Sequence, residues 1–233
     1  MQLQFNYGQV DDIVWMDQTL LDCLGHPEEE NGPGSVPIHQ LVGSIIAGRT
    51  RDQVSMQAFI DLLFHCRDNW SLVAAMTVED ITDIIGKVTR PEQKAAWLKD
   101  TLQAIEQHSH DFNIDFLADM ALDDARSWLQ NFGGIGPKVA AAIMNFSTLD
   151  MPIFIVDTHV LRVLFRFGLI GRVNTWLACR RVTGSMREWR PGDFRRFHCL
   201  VKQLGQQICT ATHAACRRCP LADSCQKRRP KGW

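Results

Sequence analysis

The stretch LQNFGGIGPKVAAAIMNF, residues 129–146, decides how the rest of the chain is interpreted. Helical spacing of apolar residues ends near Phe132, three glycines follow, and Pro137 stands where a second helix is expected to begin. Glycine lets backbone N–H groups approach a ligand closely, and a helix N-terminus favours an anion. The stretch predicts a turn that grips phosphate, although the glycines alone fit an ordinary helix-to-helix turn equally well.

A lysine and an aspartate follow this turn at positions suited to catalysis. Lys138 falls in the first turn of the second helix, where the helix dipole disfavours an ammonium. Nineteen residues later, Asp157 stands at the expected N-cap of the segment VDTHVLRV. A nucleophilic amine and a carboxylate that can manage protons or a developing cation form a plausible covalent pair. Taken singly, each residue is more commonly a surface lysine or a capping aspartate.

The remainder of the chain predicts helix after helix. Apolar residues recur at helical spacing in nine segments, and the alternation typical of strands is nearly absent. MPIFIVD, residues 151–157, is expected to be a brief extended connection. HPEEENGPGSVP, residues 26–37, is rich in Pro, Gly and acidic residues and is expected to be a linker. The sequence therefore predicts an all-α protein.

Charge is distributed unevenly along the 233 residues, although the net charge is only −1. From residue 158 onward the chain holds 16 Lys and Arg against 3 acidic residues, whereas the first 157 residues hold 9 basic and 23 acidic residues. This asymmetry indicates a polyanion facing the C-terminal third. A solvated basic face is an equally good explanation of charge alone.

The sequence also predicts an intracellular protein without a membrane span. The start MQLQFNYGQVDD lacks the basic and apolar regions of a signal peptide. No stretch reaches about 18 consecutive apolar residues. We expect a monomer, placed in the cytoplasm with the nucleoid if the source is prokaryotic.

Four cysteines crowd into CTATHAACRRCPLADSC, residues 209–225. Clustered cysteines in a reducing compartment are more often metal ligands than disulfides. Their spacing alone allows zinc or an iron–sulfur cluster, and free thiols are the remaining alternative. The other four cysteines lack ligand spacing and are predicted to be buried small hydrophobes: Cys23, Cys66, Cys179 and Cys199.

Three motifs together resemble the helix-hairpin-helix DNA glycosylases of the endonuclease III type. They are GGIGPKVAAAI, FIVDTHVLRVLFR and Cys-x6-Cys-x2-Cys-x5-Cys, and their order and spacing match from about residue 38 to residue 225. The resemblance implies two helical domains with the active site in the cleft between them. Residues 36–150 are then a six-helix barrel with the hairpin, and residues 151–233 an iron–sulfur cluster domain against which residues 1–35 pack.

The resemblance further implies a reaction on double-stranded DNA that contains a damaged or modified base, by default a pyrimidine. The target nucleotide rotates out of the duplex, because a side chain cannot reach C1′ while the base is stacked. Lys138 would attack C1′ and expel the base, and the resulting Schiff base would permit β-elimination. Asp157 would activate the lysine and stabilise positive charge on the sugar. The resemblance therefore implies a bifunctional DNA glycosylase with AP-lyase activity.

The cysteine loop and the hairpin acquire roles from the same resemblance. The loop implies a [4Fe–4S] cluster in preference to zinc, held by Cys209, Cys216, Cys219 and Cys225. The hairpin implies contact with the DNA backbone through Gly133, Gly134, Ile135 and Gly136. Gly133 stands where the family usually has a proline.

Several arginines and lysines are expected to touch DNA. Arg49, in IIAGRTRD, replaces the glutamine that the family inserts into DNA, and Arg90, in KVTRPEQK, lies where the family often supplies an apolar wedge. Cations within and after the cysteine loop are expected to meet phosphate: Arg217, Arg218, Lys227, Arg228, Arg229 and Lys231.

Two other functions stay open from the sequence. One is a glycosylase without lyase activity, in which Asp157 and water release the base. The other is a non-catalytic iron–sulfur protein that only binds DNA. Relatives that only remove a base, such as the adenine glycosylases, usually lack the lysine and carry a glutamate where this chain has Ser44, so the lyase is favoured.

Overall fold

The computed structural model describes residues 7–27 and 36–226, and within these ranges the protein is all-α. In the described ranges there are eleven α-helices, two short 3-10 helices and no strand, with an isolated bridge between Cys209 and Ala214. The prediction of an all-α fold is confirmed. None of the described helices is long and apolar enough to cross a membrane.

The α-helices are α1 Tyr7–Leu24, α2 Pro37–Ala47, α3 Asp52–Cys66, α4 Trp70–Ala75, α5 Val78–Ile85, α6 Pro91–His108, α7 Leu122–Leu129, α8 Pro137–Phe146, α9 Thr158–Phe167, α10 Thr175–Ser185 and α11 Pro191–Gln207. The 3-10 helices are Asp115–Asp119 and Cys216–Arg218. The helices divide between two compact units. The central unit is Asn31–Met151, and the terminal unit joins Met1–Glu30 to Pro152–Trp233.

In the central unit, α6 and α2 each pack on three other helices. Helix α6 contacts α2, α4 and α5, and α2 also packs on α3 and α8. The buried face of α6 carries Leu98, Leu102 and Ile105, which recur at the three- to four-residue spacing of one helical stripe. This packing brings the end of α2 and the start of α6 into contact.

The segment MQAFIDLLFHCRDNW, residues 56–70, has helical spacing of apolar residues throughout, yet the structure divides it between α3 and α4. Helix α3 ends at Cys66, and both Arg67 and Asp68 adopt left-handed backbone with φ of 50° and 60°. Asn69 then caps α4 by accepting the backbone N–H of Ser71. Two consecutive left-handed residues cannot continue a right-handed helix, so a separate helix begins.

The terminal unit is built from segments far apart in sequence. Helix α9 packs on α10 and α11, and α11 also packs on α1. Asp17 of α1 is almost fully buried and accepts a hydrogen bond of 2.6 Å from Arg196 of α11. The predicted connection at residues 151–157 forms neither helix nor strand and is largely buried in this unit from Ile153 onward.

Three of the four cysteines outside the loop are buried as predicted, namely Cys66, Cys179 and Cys199. The prediction was wrong for Cys23, which is exposed. Cys23 lies in the last turn of α1, beyond Leu20, the last fully buried residue of that helix. Because Cys23 lies beyond the part of α1 that packs against the unit, no neighbouring side chain among the described residues covers it.

The predicted hairpin is present, with α7 ending at Leu129 and α8 beginning at Pro137. Gly134 has a φ of +83°, and Ile135 is buried. The indole of Trp97, on α6, lies directly against this turn. A Cβ atom on Gly133 would stand 2.1 Å from Trp97 Cδ1, so no side chain fits at position 133. Packing of the Trp97 ring therefore requires a small residue in this turn, which the glycine pattern alone does not reveal.

Gly133→Ala is expected to lower the free energy of unfolding by about 1–3 kcal/mol, because the new methyl group overlaps the Trp97 ring. The control is Gly136→Ala, where nothing lies within 4 Å of a built Cβ and a cost of about 1 kcal/mol or less is expected from its N-cap position. Urea unfolding of both variants, repeated in a Trp97→Ala background, measures the effect. If Gly133→Ala lowers the free energy of unfolding as much in the Trp97→Ala background as in the wild type, the overlap with Trp97 is refuted.

Candidate functional site

Lys138 and Asp157 occupy helix starts in different units. Lys138 is exposed in the first turn of α8, in the central unit, immediately after the glycine turn. Asp157 belongs to the terminal unit, is 9% exposed, and its Oδ1 accepts the backbone N–H of Val160 at 2.7 Å. The prediction that Asp157 caps α9 is confirmed. That hydrogen bond fixes the orientation of the carboxylate, while the lysine amine is open to solvent.

The start of α8 offers backbone donors to an anion. Gly136 is its N-cap residue and supplies no capping side chain, and Pro137 occupies the first helical position. The first amides of a helix have no partner within the helix and lie at the positive end of its dipole. The turn formed by Gly133, Gly134, Ile135 and Gly136 therefore suits a phosphate group.

The two arginines singled out from the sequence lie at the tips of loops that touch each other. Arg49 and Arg90 are both exposed, and both take left-handed backbone, with φ of 55° and 54°. The loops meet through two threonines: Thr89 Oγ1 donates to the carbonyl of Arg49 at 3.0 Å, and the Thr89 N–H donates to Thr50 Oγ1 at 3.1 Å. The structure thus brings both arginine loops together in the central unit.

A buried lysine that sequence reasoning missed lies behind these loops. Lys94, in the first turns of α6, is 3% exposed, and its Nζ donates to the carbonyl of Ile46 at 2.5 Å and to Thr50 Oγ1 at 2.8 Å. Burial lowers the pKa of Lys94 to about 8. The sequence could have indicated that Lys94 is buried, because it lies on the same apolar stripe of α6 as Leu98 and Leu102.

In the terminal unit, two arginines of α9 hold the beginning of the cysteine loop. Arg166 Nη1 donates to the carbonyl of Thr210 at 2.6 Å, and its Nη2 donates to that of Ala211 at 3.1 Å. Arg162 Nε donates to the carbonyl of Cys209 at 2.9 Å. The backbone around Cys209 is therefore fixed by side chains from a neighbouring helix, a role that the motif spacing did not indicate.

The four loop thiols lie close enough to influence one another. Burial raises the pKa of the Cys219 thiol, and Cys209, Cys225 and Cys216 raise it further. Four thiols gathered in this way are the donor set of a zinc site or an iron–sulfur cluster. As free thiols they show no group of three or more potential ligands arranged around a metal position, judged over residues 7–27 and 36–226. The donor set therefore fits such a site in chemical type, and the described residues do not show the four thiols assembled around a metal position.

The basic residues of the loop are presented to solvent where they are described. Arg217 and Arg218 are exposed on the 3-10 helix between the second and third cysteines. The cations expected after the fourth cysteine lie outside the described residues: Lys227, Arg228, Arg229 and Lys231.

Comparison with known proteins relates these motifs to one group of enzymes. No protein-family model matches the chain. It is 27% identical over 189 residues to endonuclease III homolog 1, chloroplastic, of Arabidopsis thaliana, which covers 79% of this chain and 48% of the relative. The chain thus spans about half the length of this curated relative.

Two solved structures share the fold over nearly the whole chain. An endonuclease III trapped in a covalent intermediate with DNA has a TM-score of 0.71 at 18% identity, covering 94% of this chain and 96% of that one. A thermostable thymine-DNA glycosylase has a TM-score of 0.74 at 15% identity, with 94% and 96% covered. The chain therefore has the two-domain all-α fold of endonuclease III, and the comparisons confirm its resemblance to the helix-hairpin-helix DNA glycosylase superfamily.

Proposed function

We propose that the protein is a base excision repair DNA glycosylase with AP-lyase activity, acting on duplex DNA that contains a damaged or modified base. The observation that carries this proposal is the exposed amine of Lys138, one residue after the proline that opens α8. A binding protein needs a phosphate-gripping turn but no nucleophile beside it. A solved relative of the same fold was trapped covalently on DNA, which supports a covalent route for this chain.

The proposed reaction uses Lys138 as nucleophile and Asp157 as its acid–base partner. The neutral amine attacks C1′, the glycosidic bond breaks, and the base leaves with the bonding electrons and takes up a proton. The carboxylate of Asp157 receives the proton that the amine loses. Its Oδ1 is already held by the Val160 N–H at 2.7 Å, so Oδ2 is the oxygen assigned to this transfer.

Strand cleavage follows from the covalent product. The sugar opens to an iminium ion on Lys138, which acidifies the neighbouring C2′ proton. Loss of that proton expels the 3′ phosphate by β-elimination, and water then hydrolyses the imine and frees the lysine. A pyrimidine is the proposed base class, taken from the family.

DNA binding in this proposal is shared by the two units. The glycine turn, supported by Trp97, and the first amides of α8 bind phosphate in the central unit. Arg217 and Arg218 neutralise phosphate from the terminal unit, so affinity should fall as salt rises.

We propose that Cys209, Cys216, Cys219 and Cys225 hold a [4Fe–4S] cluster. When bound, the cluster would cross-link a loop too small to form a core of its own. Arg162 and Arg166 support the first ligand by donating to the backbone carbonyls of Cys209 and Thr210. The cluster has no assigned part in the bond-breaking steps.

Lys138→Ala is expected to abolish the covalent complex that borohydride traps between the wild-type protein and duplex DNA with an abasic site, because the imine nitrogen is lost. Denaturing electrophoresis of labelled DNA measures the complex. The control is Lys87→Ala, which removes another exposed lysine of the central unit and should leave trapping unchanged.

Trapping that survives in Lys138→Ala would show that the nucleophile is wrongly assigned. Free base released by the wild type without any trapped complex would instead favour a glycosylase that uses Asp157 and water. Duplex binding with no base release across a panel of lesions would identify a non-catalytic binding protein.

Anaerobically purified wild-type protein is expected to be brown and to contain about four iron and four sulfide per chain. Cys216→Ser should lose the visible absorbance and most of the iron, since one of four ligands is removed. Cys23→Ser, which changes an exposed cysteine outside the loop, should keep both. Metal analysis that finds about one zinc and no iron would refute the iron–sulfur assignment in favour of a zinc site.

A further inference from the structure

We infer that Lys94 is a positioning residue that fixes the loops of Arg49 and Arg90 to each other, so that the two arginines engage DNA as one unit. This inference rests on the proposed function, since it concerns how the central unit contacts duplex DNA. It assigns a role to the side chain of Lys94, which is buried and does not reach the DNA itself.

Lys94 joins two elements that are distant in sequence. From the first turns of α6, its Nζ donates at 2.5 Å to the carbonyl of Ile46, in the last turn of α2. The last carbonyls of a helix lack partners within it and lie at the negative end of its dipole. An amine from α6 therefore caps α2 immediately before the loop that carries Arg49.

Thr50 extends this contact to the second loop. Its hydroxyl accepts from Lys94 Nζ at 2.8 Å and from the Thr89 N–H at 3.1 Å, and it donates to the carbonyl of Gly48 at 3.4 Å. One donor and two acceptor positions are all that a hydroxyl has, so Thr50 is fully used. The two loops thus share a single hydroxyl whose position depends on Lys94.

Hydrogen bonds hold the backbone at both tips. Left-handed backbone costs about 1–2 kcal/mol for a residue other than glycine, so it persists only where the surroundings determine it. The carbonyl of Arg49 accepts from Thr89 Oγ1 at 3.0 Å, and the carbonyl of Arg90 accepts the backbone N–H of Lys94 at 3.2 Å. Lys94 acts on the Arg49 loop through the hydroxyl of Thr50, while its backbone N–H makes the first helical hydrogen bond of α6 to the carbonyl of Arg90.

An ordinary packing role does not account for a lysine at this place. In the part of the chain that the structure describes, no carboxylate forms an ion pair with Lys94, and its acceptors are a carbonyl and a hydroxyl. Burying an amine without an opposite charge is unfavourable, and an apolar side chain would fill the same stripe without that cost. What an apolar side chain cannot supply is the pair of hydrogen bonds that joins the loops.

The test is a double-mutant cycle on binding to a duplex with a tetrahydrofuran abasic-site analogue, which resists cleavage. In the wild-type background, the Kd of the Arg49→Ala/Arg90→Ala double variant is expected to differ by about fivefold or more from the value obtained by multiplying the two single-variant effects. In Lys94→Met, and separately in Thr50→Val, the two effects should become additive. Thr50→Val keeps the side-chain volume and the Lys94–Ile46 contact, so the test survives if Lys94→Met fails to fold.

Lys99→Met is the matched control, because Lys99 also lies on α6 and donates to a carbonyl, that of Met76, at 2.7 Å, away from the arginine loops. This control should keep the coupling between the arginines even if it lowers stability. Coupling that persists in Lys94→Met, or in Thr50→Val where Lys94→Met fails to fold, or that is absent from the wild type, overturns the inference. Coupled arginines in a wild type that traps no abasic DNA would overturn the proposed lyase and leave the role of Lys94 standing.

Discussion

The close approach of the Trp97 indole to Gly133 and Gly134 is the contact on which the candidate DNA-binding surface of the central unit depends. A Cβ atom on Gly133 would lie only 2.1 Å from the ring, so the turn can pack against α6 only where position 133 has no side chain. Helix α8, with Lys138 in its first turn, comes directly after this turn. Three residues earlier on α6, Lys94 holds the two arginine loops. One helix thereby supports the hairpin, the proposed nucleophile and both arginine tips.

Helix α9 has the corresponding role in the terminal unit. Its N-cap is Asp157, and one and two turns further along Arg162 and Arg166 bind the backbone of the cysteine loop. The proposed catalytic carboxylate and the supports of the proposed cluster loop therefore belong to a single rigid element.

The sequence predicted well whatever depends on local signals. The glycine turn, the start of α8 at Pro137 and the capping role of Asp157 are each determined within a few residues. The all-α class followed from periodicity over longer windows. Helices α1 and α10 were not predicted. Helix α1 packs on α11, from which Arg196 also pairs with Asp17, and α10 carries polar residues through much of its length.

The parts that escaped prediction all rest on tertiary approach. No local pattern shows that Trp97 lies on the hairpin or that Arg166 holds the carbonyl of Thr210. Lys94 was the one detectable case, since a lysine interrupts the apolar stripe of α6, but a stripe does not reveal what the amine binds. From the sequence, the glycines were interpreted as allowing a ligand to approach the backbone closely. The structure adds a second reason for them, because the indole of Trp97 leaves no room for a side chain at Gly133.

The central claim is that Lys138 forms the covalent bond to the sugar. Mass spectrometry of protease-digested protein after borohydride trapping on abasic duplex DNA tests this most directly. If Lys138 is the nucleophile, the sugar-derived mass is found on the peptide that contains Lys138, and fragmentation places it on that residue. An adduct located on the α-amino group or on any other lysine would contradict it.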